Sequence, residues 1–259
     1  MRVVRHYGTR PEFVVIGGLV PELLCSASAL QHAGTTDIDV QVNLEIARGS
    51  VNTKRLETAL KNAEFVPDTE RRWRWRTVGS AAGTVVKFEL LADLDDQPTE
   101  ATVLFNDCDE LGAVNLRGTG CASMDIETRQ MSARIGGVDH VVEVNVAGLA
   151  GFLLAKCAAA RARRLPKDWY DMAFVLLHND AGGPEAAAGA VLDRFGSQAS
   201  GAARSALDDL LANFADHLSQ GPEAYAEQML FDHPELDAAE LRADAIVAVA
   251  AFHQVVTQG

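Results

Sequence analysis

Residues 14–40 read VVIGGLVPELLCSASALQHAGTTDIDV, and the order of features in this stretch decides the fold. Residues 12–16 (EFVVI) form a short apolar run of buried-strand length that ends at Gly17-Gly18. A helix is expected over 19–30, with Pro21 in its first turn, where a missing N–H costs nothing. Residues 37–44 (DIDVQVNL) then alternate with period two, which puts Ile38, Val40 and Val42 on one strand face. Strand, glycine turn, helix and strand in succession predict an α/β (α+β) domain with a short mixed sheet flanked by helices.

The pattern continues on either side. Leu56, Ala59, Leu60 and Ala63 have the spacing of an amphipathic helix. Two further strands are expected at 71–78 and 84–91, separated by the small-residue turn GSAAG at 79–83, and a last one at 139–144. Beyond about residue 146 alanine becomes abundant and helical patterns follow one another over 147–164, 168–178, 185–195, 202–218 and 238–256. NDAGGPE and SQGPE read as turns between them. The expected layout is an α/β domain over 1–145 and a helical domain over 146–259.

A chain of 259 residues with 48% hydrophobic and 23% charged residues can bury a substantial core. Its apolar stretches are too short for a membrane span, and the start MRVVRHYGTRPEF lacks an apolar signal region, so a cytoplasmic location without membrane contact is expected. Cys25, Cys108, Cys121 and Cys157 have no zinc-knuckle spacing and read as small buried hydrophobes. The seven histidines show no metal-pair spacing and read as incidental. The formal charge of −13 is unevenly spread: residues 1–167 hold 20 basic and 21 acidic side chains, residues 168–259 hold 3 and 15. An acidic protein disfavours nucleic acid, but the near-neutral first part leaves room for such a partner.

The chemistry gathers around the opening stretch. Glycine permits close approach to a bulky ligand, and a helix start offers N–H groups to phosphate oxygens. Asp37 and Asp39 project from one strand face and suit Mg²⁺ bound together with substrate phosphates. In 85–91 (VVKFELL), Val86, Phe88 and Leu90 make an apolar face and leave Lys87 and Glu89 together on the other, as fits a site rim or a solvated face. Lys156 shares a helical face with Phe152, Leu153, Cys157 and Ala160, so it either snorkels to water or reaches an anionic partner. Asp168 reads as a helix N-cap or a site residue, with Asp171 one turn further on. Arg72, Arg74 and Arg76 alternate with Trp73 and Trp75, a pattern suited to nucleic acid or to a two-faced strand with tryptophan inward. Arg161, Arg163, Arg164 and Lys167 gather at a helix C-terminus, where the dipole favours cations in any case.

Together these residues resemble the nucleotidyltransferase fold of the DNA polymerase β-like superfamily, whose signature is hG[GS], a helix, Dh[DE]h and a third carboxylate. Within it the chain looks like the AbiEii-type nucleotidyltransferase toxins, which add K-x-x-A-x-x-x-R and R/K-D-x-x-D; here these are Lys156, Ala159 and Arg163, then Lys167, Asp168 and Asp171. The likeness covers about residues 12–180, with a longer Gly18-to-Asp37 spacing than usual and Glu89 where Asp is more common.

The resemblance implies a Mg²⁺-dependent transfer of a nucleoside monophosphate from an NTP to a hydroxyl, with two ions held by Asp37, Asp39 and Glu89. Gly17, Gly18, Thr36 and Lys87 would cradle the nucleotide. Lys156, Asp168 and Asp171 would contact phosphate or buttress the site. It further implies an RNA acceptor such as tRNA, met through Arg72, Arg74, Arg76, Arg161 and Arg164, and a cognate antitoxin as partner. Two other readings remain: modification of a small molecule such as an aminoglycoside, which the acidic C-terminal third favours, and a non-catalytic nucleotide-binding regulator.

Overall fold

A computed structural model describes residues 1–47, 49–78, 84–196 and 199–258. In chain order the elements are α1 (Arg2–Tyr7), β1 (Val14–Ile16), a 3-10 turn (Gly17–Leu19), α2 (Val20–Leu24), β2 (Asp37–Gln41), α3 (Asn43–Ala47) and α4 (Ser50–Asn62). Next come β3 (Phe65–Pro67), β4 (Arg74–Thr77), β5 (Lys87–Ala92), β6 (Thr102–Leu104), β7 (Gly112–Asn115), α5 (Cys121–Met124), β8 (Ile126–Ile135) and β9 (Val138–Ala147). The chain continues through α6 (Leu149–Arg163), α7 (Pro166–His178), α8 (Pro184–Phe195), α9 (Ala202–Ala212), α10 (Gln220–Asp232) and α11 (Ala238–Gln258). The expected mixed α/β class is what the molecule adopts.

Two compact units divide the chain: Met1–Leu19 with Thr35–Ala147, and Val20–Gly34 with Gly148–Gly259. The division changes unit at Gly148 and sets Val20–Gly34 apart from the residues on either side of it. Val20–Gly34 belongs with the helices, and the reason is local. The Asp180 carboxylate accepts from Ser26 N–H, the Ser26 hydroxyl and Ala27 N–H at 3.1, 2.6 and 2.9 Å, while Asp180 N–H donates to the Leu24 carbonyl. These bonds also end α2 at Leu24, six residues before the expected end of the helix.

The first unit is built on an open sheet ordered β3-β4-β5-β2-β1-β9-β8, with β7 beside β5 and β6 beside β7. β1 runs antiparallel to β2 and parallel to β9, and β2 runs parallel to β5. β1 is apolar and buried throughout, whereas β2 and β5 begin with alternating polar and apolar residues: Val14, Val40 and Leu90 are fully buried, and Phe13, Trp75 and Phe88 join the core. Each such side chain contributes about 1.5–3 kcal/mol by leaving water. β2 stops at Gln41 instead of Leu44, because Asn43 opens α3 and brackets Asp93, donating to its carbonyl and accepting its N–H. α4 presents Leu56, Ala59 and Leu60 inward, as their spacing requires. The long hairpin of β8 and β9 turns at Gly136-Gly137, both at positive φ, as a two-residue hairpin loop demands. The GSAAG turn expected at 79–83 lies outside the described residues.

The second unit packs α2 and α6–α11 around Leu153, Trp169, Tyr170, Phe174, Phe214, Tyr225 and Phe252. Its expected 202–218 helix ends at Ala212, and SQGPE is not a turn but the start of α10. Pro222 is tolerated in that first turn. Gly221 is required there, since a Cβ would stand 2.2 Å from the Phe214 ring.

Candidate active site

In the sheet unit, register gathers the expected residues on one face. Asp37 stands opposite Lys87 and Asp39 opposite Glu89 across β2 and β5; Arg74 stands opposite Glu89 and Arg76 opposite Lys87 across β4 and β5. Cross-strand partners share a face, so these side chains form a ladder of two rungs, Arg76-Lys87-Asp37 and Arg74-Glu89-Asp39. Between the rungs Trp75, Phe88 and Ile38 are aligned and turn to the opposite face, where Trp75 and Phe88 are buried. The ladder is charge-balanced, with three cations against three carboxylates.

Asp39 is fixed against β1. It pairs with Ile16, the residue before Gly17, and a Cβ on Gly17 would lie 2.1 Å from Asp39 Oδ2. Gly17 also has φ +71°, so two independent constraints exclude a side chain there. Gly18 is buried in the same 3-10 turn. Asp37 N–H donates to Thr35 Oγ1 at 3.1 Å, the exposed Thr36 hydroxyl donates to Asp37 Oδ1 at 3.4 Å, and the Thr36 carbonyl accepts Lys87 N–H.

Two of the three cations of the ladder lie in ion pairs. Lys87 Nζ is 3.2 Å from Asp37 Oδ1, and Arg74 Nε donates to Glu89 Oε1 at 2.6 Å in a pair whose side chains are 19% and 15% exposed. Among the described residues no three His, Cys, Asp or Glu side chains converge as a metal-ligating group. The interleaved Arg/Trp reading needs correction. Arg72 and Trp73 precede β4 in a turn, Trp73 is half-buried with the Arg71 and Arg74 guanidinium groups over its ring, and only Arg72 and Arg76 of the three arginines are exposed.

In the helical unit, Lys156 does not snorkel. Its ammonium lies 2.9 Å from Asp168 Oδ1 and 2.6 Å from Asp171 Oδ2, with all three side chains buried. Arg163 also donates to Asp168 at 2.8 Å. Asp168 is no N-cap: α7 begins two residues earlier at Pro166. Burial penalises the Lys156 ammonium, but Asp171 and Asp168 outweigh it and hold its pKa above the usual lysine value. Burial likewise opposes the Asp171 carboxylate, and Lys156 and His32 more than offset it, holding the group below the usual range.

His32 is the residue that sequence reasoning missed. Its Nε2 lies 2.9 Å from Asp171 Oδ1, and Gly34 N–H donates to Nδ1 at 3.1 Å. With Nδ1 accepting, Nε2 carries the proton given to Asp171. The ring stacks on Tyr170, whose hydroxyl accepts Ala33 N–H, and Lys167 donates to the Gly34 carbonyl. A signal in spacing does not exist, because 139 residues separate His32 from Asp171. Close by, a 610 Å³ cleft of this unit is lined by Gly34, Lys167, Tyr170, Gln228 and Phe231 among others. Of the basic cluster, Arg161 is exposed and Arg164 pairs with Asp209 at 2.8 Å. Cys25 and Cys157 are buried as expected, whereas Cys108 and Cys121 are partly exposed.

No protein-family model, curated protein or solved structure matches this chain.

Proposed function

We propose that the protein is a Mg²⁺-dependent nucleotidyltransferase that moves a nucleoside monophosphate from an NTP to an acceptor hydroxyl. The observation that carries the reading is the apposition of Gly17 and Asp39: a strand ends at a glycine that can hold no side chain, directly against the second carboxylate of Asp-x-Asp on the antiparallel neighbour. The missing side chain lets the Asp39 carboxylate lie against the Gly17 backbone, which places an acidic group beside a glycine turn whose N–H groups could receive phosphate oxygens.

The donor chemistry suits a hard divalent cation. Asp37 and Asp39 supply carboxylate oxygens from one face, and Mg²⁺ is commonly held by one or two carboxylates with substrate phosphates completing its shell. Such an ion would supply charge neutralisation at the α-phosphate. Around it Gly17, Gly18 and Thr36 would receive the phosphates by backbone and hydroxyl groups, and Lys87 would exchange Asp37 for a phosphate oxygen. The acceptor oxygen bonds to the α-phosphorus, the α–β bridging bond breaks, pyrophosphate leaves, and the hydroxyl proton passes to a ladder carboxylate. Lys156 is held by both Asp168 and Asp171, which favours a structural role within the helical unit over phosphate contact for these three.

RNA, tRNA among the candidates, is the proposed acceptor, with exposed Arg72 and Arg76 of the sheet unit as phosphate contacts, and an antitoxin is the proposed regulator of an enzyme acting in the cytoplasm. No helix of the described residues is long and apolar enough to cross a membrane. The 3 basic and 15 acidic residues of 168–259 support a second acceptor class, a cationic small molecule such as an aminoglycoside. Incubation with each α-labelled NTP, Mg²⁺ and either total RNA or aminoglycosides tests both: labelled acceptor identifies the class, and unlabelled acceptors throughout reject nucleotidyl transfer.

A further inference from the structure

The ladder poses a problem for its own carboxylates. Glu89 stands in register with Asp39, where a third metal-ligating oxygen would be useful, yet it is bound to Arg74. An ion pair this sheltered is not loosened by solvent as a surface pair is, and a bare divalent cation would have to take Glu89 from Arg74 and Asp37 from Lys87. Stranding a half-buried guanidinium opposes that exchange. A magnesium triphosphate changes the balance, because it is net anionic and brings both replacement partners at once: the metal for the carboxylates and phosphate oxygens for the cations. Arginine is well suited to the second role, since its planar fork matches phosphate oxygens as well as carboxylates.

From this geometry we infer that Arg74 is a phosphate-binding residue of the nucleotide site that also withholds Glu89 from the metal until nucleotide arrives. The inference rests on the nucleotidyltransferase reading. The Trp73 ring beneath the guanidinium, 5.0 Å from its Cζ, keeps Arg74 placed during the exchange. Metal and triphosphate then bind with positive coupling, and Glu89 joins the metal only in the presence of both.

The probe is Mn²⁺, titrated into the full chain by electron paramagnetic resonance with and without a non-hydrolysable α,β-methylene triphosphate. Wild type is expected to bind Mn²⁺ about 5- to 150-fold more tightly with the analogue present. Arg74→Met is expected to tighten analogue-free Mn²⁺ binding, to weaken analogue binding and to shrink the coupling, and Arg74→Lys to fall between. Glu89→Gln, read as the ratio of Mn²⁺ affinities with and without analogue, guards against a misfolded Arg74 variant: it should abolish most of the coupling. Unchanged or weaker analogue-free Mn²⁺ binding in a folded Arg74→Met, or a Glu89→Gln that weakens Mn²⁺ equally with and without analogue, overturns the inference while leaving the nucleotidyltransferase reading intact. Wild type that binds neither Mn²⁺ nor the analogue overturns both.

Discussion

Arg74 and Glu89 face each other across β4 and β5 and are joined at 2.6 Å, so the third carboxylate of the ladder is already neutralised within the protein. Beside that pair Lys87 meets Asp37 at 3.2 Å, whereas Arg76 stands opposite Lys87 and Asp39 opposite Glu89, like charges in register.

Gly17 is the position least able to change. Gly17→Ala must accommodate a Cβ 2.1 Å from Asp39 Oδ2 at a φ of +71°. The left-handed backbone alone costs about 1–2 kcal/mol for a non-glycine residue. Denaturant unfolding should show at least that loss, and nucleotidyl transfer should fall further than stability does, since Asp39 is the group displaced. A variant with wild-type stability and activity contradicts the packing described.

The buried ions of the helical unit make a second test. Lys156→Met leaves Asp171 and Asp168 without their shared ammonium, and removing one partner of a buried pair costs about 3–5 kcal/mol. His32→Ala, which removes one hydrogen bond from Asp171, should cost less, about 1–3 kcal/mol. Equal effects in chemical denaturation would mean that His32 carries more than the hydrogen bond seen.

The pH dependence follows from the same cluster. Asp171 is held below its ordinary 3.8, so its contribution is complete above that value and is lost as pH falls through the lowered pKa. Lys156 is held above its ordinary 10.5, so its contribution is complete below that value and is lost as pH rises through the raised pKa. Stability measured by urea unfolding should therefore lose this contribution only at the acid and alkaline extremes, and Lys156→Met should flatten the alkaline limb.

Glu45 behaves in the opposite sense. Burial raises its pKa despite hydrogen bonds from the Tyr7 hydroxyl and from Glu12 and Phe13 N–H. A carboxyl raised in the folded state favours folding most when protonated and weakens it as pH rises through the raised pKa. Tyr7→Phe removes one donor to the ionised form. It should destabilise more above that raised pKa than below it, and an equal loss across the pH range would place the effect in packing.

What could be read in the sequence was local. The strand into Gly17-Gly18, the period-two DIDV and the KFEL alternation needed only neighbouring residues, and each appears where it was expected. The ladder was not legible, because Arg74 meets Glu89 only through the register of β4 on β5, and no pattern of spacing encodes register. β8 escaped notice because its side chains alternate between exposed and half-exposed, so IETRQMSARI carries no apolar face. α10 escaped because Gly221-Pro222 has the composition of a turn; its helical use depends on the Phe214 ring that only Gly221 can accept. His32 escaped because its partner arrives from α7, through tertiary packing.

The most direct measurement of the central claim is transfer of label from α-³²P nucleoside triphosphates, with Mg²⁺ and total RNA or aminoglycosides, by wild type and by Asp39→Asn. Labelled acceptor and released pyrophosphate are expected with wild type, abolished by chelation and by Asp39→Asn while the variant keeps its folded circular dichroism spectrum. Equal labelling by wild type and Asp39→Asn, or none by wild type with any nucleotide, would contradict that claim.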